Sequence, residues 1–327
     1  DGRVTISGVK GPSAPGGHNM TATYRSKTAT ARLAIVGGVG TIWGVWGPMH
    51  LTTSPNGDYL FVCNQNKHTV SVVDTSSQRV IKTIPVGRHP IWIACNPDGS
   101  LAYVCNMVDQ SISIIDIPNL RVIRTHDNRF SPLGVVSSLD GARIYVCNDT
   151  GSVSIINTVD MTIIKTINVA HKINNPVISP DETLLFVSNI KGNKITVIDT
   201  VNLLVKKTIE GINYPEGIAC SPDGSHAFVC GSLDKIVFVI DMANLNVIET
   251  IKLDRTPMGI TISPDGSSIY VTYVHSREVS IIDRASLTVT MKITVGDTPL
   301  AIAGSPDGSN LYVANHYDDS VSVISVG

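Results

Sequence analysis

The chain has 327 residues, of which 43% are hydrophobic and 16% are charged, and its formal net charge at pH 7 is −2. This balance gives no electrostatic basis for binding nucleic acid or an anionic membrane. No apolar run approaches the ~20 residues that a membrane-spanning helix needs, so no membrane span is predicted.

Residues 1–32 lie outside the regular pattern that fills the rest of the chain. The run GPSAPGG at 11–17 is typical of a linker, and the residues after it are small and polar. We predict a partly flexible N-terminal extension at 1–32 and a single domain at 33–327. The first residue is Asp1 rather than Met, which suggests a removed signal or a larger parent protein.

A turn signal of the Ser-Pro-Asp-Gly type recurs seven times. Pro presets φ at a turn position, Asp bonds its own backbone, and Gly accepts a positive φ, so each copy predicts a tight turn. Successive copies are 41 or 42 residues apart, and they open at Ser54, Asn96, Ser138, Ser179, Ser221, Ser263 and Ser305.

The copy that opens at Ser221 shows the repeating unit most clearly. Four short β-prone runs, at 217–220, 227–230, 236–240 and 247–253, are separated by turn residues. The third run is apolar at every position, which is typical of a strand covered on both faces. Four antiparallel strands in a period of ~40–45 residues predict a propeller blade. The fold class is therefore predicted to be all-β, a seven-bladed β-propeller of four-stranded antiparallel blades.

The two ends of the chain are predicted to share one blade. The last copy stops at Gly327 after its third strand. One further period aligns Gly327 with Ala34, and it aligns Thr41-Ile42 with the fourth-strand residues Thr83-Ile84. We therefore predict that the N-terminal segment supplies the outer strand of the last blade, because this removes an open sheet edge.

The second strands carry a shared four-residue motif, such as FVCN at 61–64, YVCN at 103–106 and YVAN at 312–315. With the Ser-Pro-Asp-Gly turns and the VID-type third strands, this motif resembles the YVTN family of β-propeller repeats over about residues 33–327. The resemblance implies a scaffold that is often secreted, periplasmic or on the cell surface, as in archaeal surface-layer proteins. More distant seven-bladed relatives include lactonases, so the resemblance implies a fold and a location more than an activity.

The cysteines leave two alternatives open. Cys95 and Cys105 are ten residues apart across one hairpin, as are Cys220 and Cys230, which allows two disulfides in an oxidising compartment. Buried thiols are favoured instead, because Cys alternates with Ser, Thr and Ala at the same strand position and packs as a small hydrophobe. No CxxC motif occurs, so no metal–thiolate site is expected.

Candidate ligand-binding residues are the polar residues that the repeat does not require. In a propeller, the loops that enter the inner strands and the loops that join the second and third strands lie on one side, which we call the loop face. The recurrent Asp residues on the opposite side are explained as turn caps. Six of the nine histidines fall on the loop face, at His50, His68, His89, His171, His275 and His316. The predicted ligand-binding residues are His50, Arg88, His89, Trp92, Asn175, Glu216, Arg255, His275 and His316.

Two classes of function fit these observations. The favoured one is a non-catalytic binding or scaffold propeller that presents the loop face to a protein or carbohydrate at the cell surface, as a monomer or as part of a larger surface protein. The alternative is an enzyme of the lactonase or lyase type, with His50 and Glu216 as general base or metal ligands. No metal-ligand motif, phosphate loop or nucleophile elbow is present, so no cofactor is predicted. A metal ion at the channel mouth is kept as a variant of the alternative.

The expected location is extracellular, periplasmic or at the cell surface. It depends on the family resemblance and on the first residue. Two N-glycosylation sequons, at Asn19 and Asn148, add weak support because so short a pattern often occurs by chance.

Overall fold

The computed structural model describes residues 19–24, 27–32, 36–169 and 172–326. These residues form seven four-stranded antiparallel sheets and a separate hairpin of Asn19–Tyr24 with Lys27–Arg32. One 3₁₀ turn, Gln65–Lys67, connects the strands Tyr59–Asn64 and Thr69–Asp74. In the described ranges, no helix has the length and apolarity that a bilayer crossing requires. Much of the extension predicted to be flexible, residues 1–18 and 25–26, lies outside the described residues.

The seven sheets are the blades, and their strands are named inner, second, third and outer. Blade 1 consists of Pro48–Thr53, Tyr59–Asn64, Thr69–Asp74 and Arg79–Pro85. Blade 2 consists of Pro90–Cys95, Leu101–Asn106, Ser111–Asp116 and Arg121–Asp127. Blade 3 consists of Pro132–Ser137, Arg143–Asn148, Ser152–Asn157 and Ile163–Asn168. Blade 4 consists of Ile173–Ile178, Leu184–Asn189, Lys194–Asp199 and Leu204–Glu210. Blade 5 consists of Pro215–Cys220, His226–Gly231, Ile236–Asp241 and Asn246–Lys252. Blade 6 consists of Pro257–Ile262, Ser268–Tyr273, Glu278–Asp283 and Thr288–Thr294. Blade 7 consists of Pro299–Gly304, Asn310–Asn315, Ser320–Val326 and Val36–Trp43.

Blade 7 takes its outer strand from the N-terminal part of the chain. Val36–Trp43 pairs antiparallel with the third strand, so that Thr41 lies opposite Ser322 and Ile42 opposite Val321. Ile42 is 2% exposed and packs in a core cluster shared by blades 7 and 1. Each of the other core clusters also forms between two neighbouring blades, because the second and third strands are apolar on both faces. The seven four-stranded blades confirm the predicted fold class.

The Ser-Pro-Asp-Gly turns are held by the same hydrogen bonds in successive blades. In blade 5, the Ser221 hydroxyl donates to Asp223 Oδ1 at 2.6 Å and accepts the N–H of the residue that opens the second strand at 3.0 Å. Gly224 has a φ of +69°, where a Cβ is strained. In blade 4, Glu182 stands in the glycine's place at φ +59°, and its carboxylate accepts the N–H of Leu139 from blade 3. That contact holds a non-glycine residue in the left-handed conformation.

The Asp residues that end the third strands are turn caps, as predicted. Asp74 Oδ1 accepts the Ser77 N–H at 2.7 Å, and Asp283 Oδ1 accepts the Ser286 N–H at 2.8 Å. Hydrogen bonding by Ser77 holds the pKa of Asp74 below its ordinary value, because these bonds favour the ionised carboxylate. This recurrent feature has a structural role on the side opposite the loop face.

A buried Asn ends the second strand in five blades. In blade 2, Asn106 Nδ2 donates to Ser111 Oγ at 3.2 Å and to Ser113 Oγ at 2.9 Å, which ties the second strand to the third. Equivalent bonds occur at Asn64, Asn148 and Asn315. Asn148 is fully buried, so its sequon gives no acceptor for glycosylation in the folded protein.

All six cysteines are free thiols. In blade 2, Cys105 lies opposite Trp92 while Cys95 lies opposite Ala102, so the two cysteines are offset by three residues along the hairpin. In blade 5, Cys220 lies opposite Ala227 rather than Cys230. A disulfide needs Cα atoms within about 4.4–6.8 Å of each other, which this offset prevents. The favoured alternative of buried thiols is therefore correct, and the two proposed bridges are wrong.

We expect the unfolded, unreduced chain to show six reactive thiols per molecule in a thiol-reagent assay. In the folded state at pH 8 the reaction should be very slow, because burial raises the pKa of Cys95 and of Cys220 to about 12 and the thiolate is the reactive form. The same sample after reduction serves as the control. A count of two or four thiols before reduction would show that bridges form.

Candidate functional site

The inner strands of the seven blades contact one another in a closed ring. Toward the loop face, residues from the second position of these strands onward surround a cavity of about 250 Å³ in the central channel. The second residue of the inner strand is large and apolar in five blades, and all five side chains line this cavity: Met49, Ile91, Leu133, Met258 and Leu300. The cavity is therefore mostly apolar, and its few polar groups come from the positions that break this pattern.

The third residue of the inner strand is Gly or Ala in four blades. The reason is close packing of neighbouring inner strands, because a Cβ on Gly217 would lie 2.6 Å from the Met258 carbonyl oxygen. Blades 1, 2 and 4 carry His50, Trp92 and Asn175 at this position, and all three line the cavity. Three of the predicted binding residues thus come together at one level of the channel.

His50 and Trp92 form a stacked pair in the channel. Their ring centroids are 3.8 Å apart at an interplanar angle of 21°, and His50 Nδ1 accepts the Ile93 N–H at 3.5 Å. This hydrogen bond assigns the ring proton to Nε2. Burial lowers the pKa of His50 to about 3, so the imidazole is neutral near pH 7 and is a poor general base.

Among the described residues, Glu216 supplies the one carboxyl group that lines the channel cavity. It replaces the apolar residue of blade 5, lies in a β-bulge between Pro215 and Ile218, and is 7% exposed. Burial raises the pKa of Glu216 to about 7, against the opposing effects of the Lys172 charge and of hydrogen bonding by Asn175. The carboxyl group is therefore about half protonated at neutral pH.

Asn174 is a site residue that was not among the predicted binding residues. It occupies the second position of the blade 4 inner strand, and its Oδ1 is buried with no hydrogen-bond partner among the described residues. The signal was present in the sequence, because Asn174 and Glu216 are the two polar residues at a position that is otherwise apolar. The same departure from the repeat that identified Glu216 therefore also marks Asn174 as a candidate site residue.

The predicted arginines do not line the cavity. Arg88 pairs with Asp109 at 2.5 Å, and Arg255 pairs with Glu278 at 2.9 Å. Both ion pairs start from the loop that enters an inner strand; Asp109 lies in the loop before a third strand, and Glu278 is the first residue of one. The arginines therefore connect the loops around the channel rather than filling it.

The remaining predicted histidines also lie away from the cavity. His89 Nδ1 is 3.4 Å from Gln65 Nε2, His316 Nδ1 is 3.4 Å from the Pro48 carbonyl oxygen, and His275 is exposed at a loop with φ +55°. His171 lies outside the described residues. Of the nine predicted residues, the structure thus brings together His50, Trp92, Asn175 and Glu216.

The channel site has the groups to hold a small ligand by apolar contact and a few hydrogen bonds. It combines a neutral imidazole, an indole, two amides and a carboxyl group that titrates near neutrality. Over the described ranges, no hydrogen bond joins His50 to Glu216, and no group of three His, Cys, Asp or Glu side chains lies close enough to hold a metal ion.

Comparison with known proteins extends these observations. A curated relative, the hydrazine synthase subunit beta of Kuenenia stuttgartiensis, is 38% identical over 69 residues, which cover 18% of this chain and 18% of the relative's length. A solved structure of Kuenenia stuttgartiensis hydrazine synthase has a TM-score of 0.78 at 24% identity, over 89% of this chain and 99% of that one, which shows a shared fold. A family model described as a YNCE-like beta-propeller matches residues 132–327, more than half of the chain. The chain therefore belongs to the YNCE-like β-propeller family.

Proposed function

We propose that this protein is a binding or scaffold propeller that presents its loop face, around the central channel, to a partner or ligand. The observation that carries the proposal is the channel cavity, which is apolar except where His50, Trp92, Asn174, Asn175 and Glu216 line it. Cavities of this composition, with a few convergent polar groups, are typical of ligand sites. We further propose an extracellular, periplasmic or cell-surface location, as the resemblance to YVTN surface-layer repeats suggests.

Exposed aromatic side chains on the loop face support a macromolecular partner. Trp43 is 66% exposed, Trp46 is 47% exposed and Tyr317 is 68% exposed, and all three lie in or beside loops of the loop face. Large aromatic side chains supply contact area to protein partners, and their faces stack on flat apolar ligand surfaces. The hydrazine synthase relative is itself named as a subunit, which favours a role within a larger assembly.

The test compares two sets of alanine substitutions that remove exposed apolar side chains from opposite sides of the propeller. The first set is Trp46→Ala with Tyr317→Ala on the loop face. The matched control is Val159→Ala with Val201→Ala, which are 88% and 75% exposed on the opposite side. Binding is measured on immobilised protein against a glycan array and a cell-envelope extract. We expect the loop-face variant to lose at least about tenfold in affinity for the captured ligand while the control binds normally. Equal binding by both variants contradicts the proposal.

An enzyme of the lactonase or lyase type is the second candidate, and Glu216 is the observation that favours it. A buried carboxyl group with a pKa near 7 suits general acid–base catalysis. A panel of lactones, assayed with the wild type and with Glu216→Gln, separates the candidates. Turnover that falls about 100-fold in Glu216→Gln, with a pH profile near pH 7, supports the enzyme. Elemental analysis of the wild type and of His50→Ala tests the metal variant of this candidate.

A further inference from the structure

A second recess opens on the loop face beside blades 2 to 4. Its volume is about 790 Å³, and the residues that distinguish it are Lys172, Lys191, Lys194, Asn189 and Asp149, which we call the lysine recess. It adjoins the channel, because Leu133 lines both cavities. Among the described residues that line it, three ammonium groups outnumber one carboxylate, that of Asp149, so the recess carries positive charge on a chain whose net charge is −2.

The lysines of the recess differ from other cations of the loop face. Arg88, Arg255 and Arg277 each form an ion pair within 2.9 Å. Lys172 and Lys191 form no ion pair with any residue in the described ranges, and Lys194 reaches Glu210 only at 3.7 Å. Unpaired cations gathered around one recess are the charge pattern of an anion site.

Asn189 is an independent indication of an anion site, because its side-chain amide lacks the hydrogen-bond partners that the equivalent Asn has in other blades. In blades 1, 2, 3 and 7 the equivalent Asn donates Nδ2 to hydroxyl groups of the third strand. In blade 4, Lys194 stands where blade 2 has Ser111, which removes one of the two hydroxyl groups, and Thr196, which stands where blade 2 has Ser113, makes no hydrogen bond with Asn189. Asn189 is fully buried and its Oδ1 accepts the Gly192 N–H at 3.0 Å, but its Nδ2 has no partner. A buried donor without an acceptor is rare in proteins unless a ligand or water provides one.

We propose that the lysine recess binds a small oxyanion, a phosphate or a carboxylate. The ammonium groups of Lys172 and Lys191 supply the charge, and Asn189 supplies the amide donor. Lysine ammonium groups bind both kinds of anion by charge-assisted hydrogen bonds, and the single carboxylate of Asp149 leaves the positive charge in excess. This site adjoins the channel cavity at Leu133, and the charge of Lys172 acts on Glu216, but different residues hold the anion, so the proposal does not depend on the function proposed above.

The experiment is calorimetric titration of the full chain with sodium phosphate and with sodium succinate, against sodium chloride of equal ionic strength. The test variant is Lys191→Glu, and the matched control is Lys252→Glu, which reverses the same charge at an exposed position on the outer strand of blade 5. We expect at least about tenfold weaker binding in Lys191→Glu and unchanged binding in the control, since each charge-assisted hydrogen bond contributes about that factor.

A third variant, Asn189→Leu, removes the amide donor without changing the net charge, and we expect it to weaken binding several-fold. If this buried substitution prevents folding, the comparison of Lys191→Glu with Lys252→Glu still tests whether the recess binds the anion. Binding of phosphate alone identifies phosphoryl groups as the ligand class, and binding of succinate alone identifies carboxylates. The proposal is overturned if the wild type binds neither anion more tightly than chloride, or if Lys252→Glu loses as much affinity as Lys191→Glu.

Discussion

A chain that begins at residue 44 is expected to lose most of its stability, whereas a chain that begins at residue 33 is expected to keep it. The difference between the two is the strand Val36–Trp43, which pairs at seven positions with the third strand of blade 7. Without it, Ile42 is missing from the core cluster and the last blade ends in an open edge. Losing this one buried Ile costs about 1.5–3 kcal/mol, and the unpaired backbone adds to that loss.

Urea unfolding and size-exclusion chromatography of the two truncated chains test this expectation. The chain from residue 44 should unfold at lower urea concentration and should associate through its open edge. The chain from residue 33 is the control, because it lacks the predicted extension and keeps the strand. Equal stability of the two would show that the strand does not complete blade 7.

Replacement of Glu216 by Gln is expected to stabilise the protein at pH 8 and to have little effect at pH 4. Burial raises the pKa of Glu216 from its ordinary value of 4.5 to about 7. Because the folded state holds this proton more tightly than the unfolded state does, the contribution of Glu216 to wild-type stability falls as the pH rises from about 4.5 to about 7. Above this window the loss is complete, at about 3 kcal/mol for a shift of this size. The Gln variant has no proton to release at this position, so the difference in stability between it and the wild type should grow across the window.

The measurement is the free energy of unfolding from urea titrations between pH 4 and pH 8. Glu249→Gln is the matched control, because Glu249 is exposed on the outer strand of the same blade. We expect the control to follow the wild type and Glu216→Gln to diverge from it above pH 5. Parallel curves for all three proteins would mean that Glu216 is ionised in the folded state without penalty.

The fold was accessible from the sequence because each blade needs the same turn chemistry. The Ser, Asp and Gly residues of the turns make local hydrogen bonds, as at Ser221 and Asp223, and local bonds leave a local pattern in the chain. The pairing of Cys105 with Trp92 was not accessible in the same way. The turn sets the hairpin register, which places Cys95 opposite Ala102 and Cys105 opposite Trp92, and the sequence does not show how many residues the turn removes from the ladder.

The channel site could be predicted in part. His50, Trp92 and Glu216 stood out because they break the repeat close to where the inner strands begin, and the structure places all three around one cavity. Arg88 and His89 break the repeat as well, but they lie on the loops outside the inner strands, and Arg88 is held by Asp109. Departure from the repeat identifies the loop face, whereas only the position along the inner strand identifies the channel.

The pairing of Val36 with Val326 brings two distant parts of the sequence to adjacent positions in one sheet. A short Gly-rich linker from Val326 back to Val36 would therefore span a small gap, and new ends could be opened at an exposed turn such as Asn244 in blade 5. Such a circular permutant keeps every blade-to-blade contact while changing the blade that is made first during synthesis. In this ring, the order in which the blades are translated is thus separable from the architecture that they form.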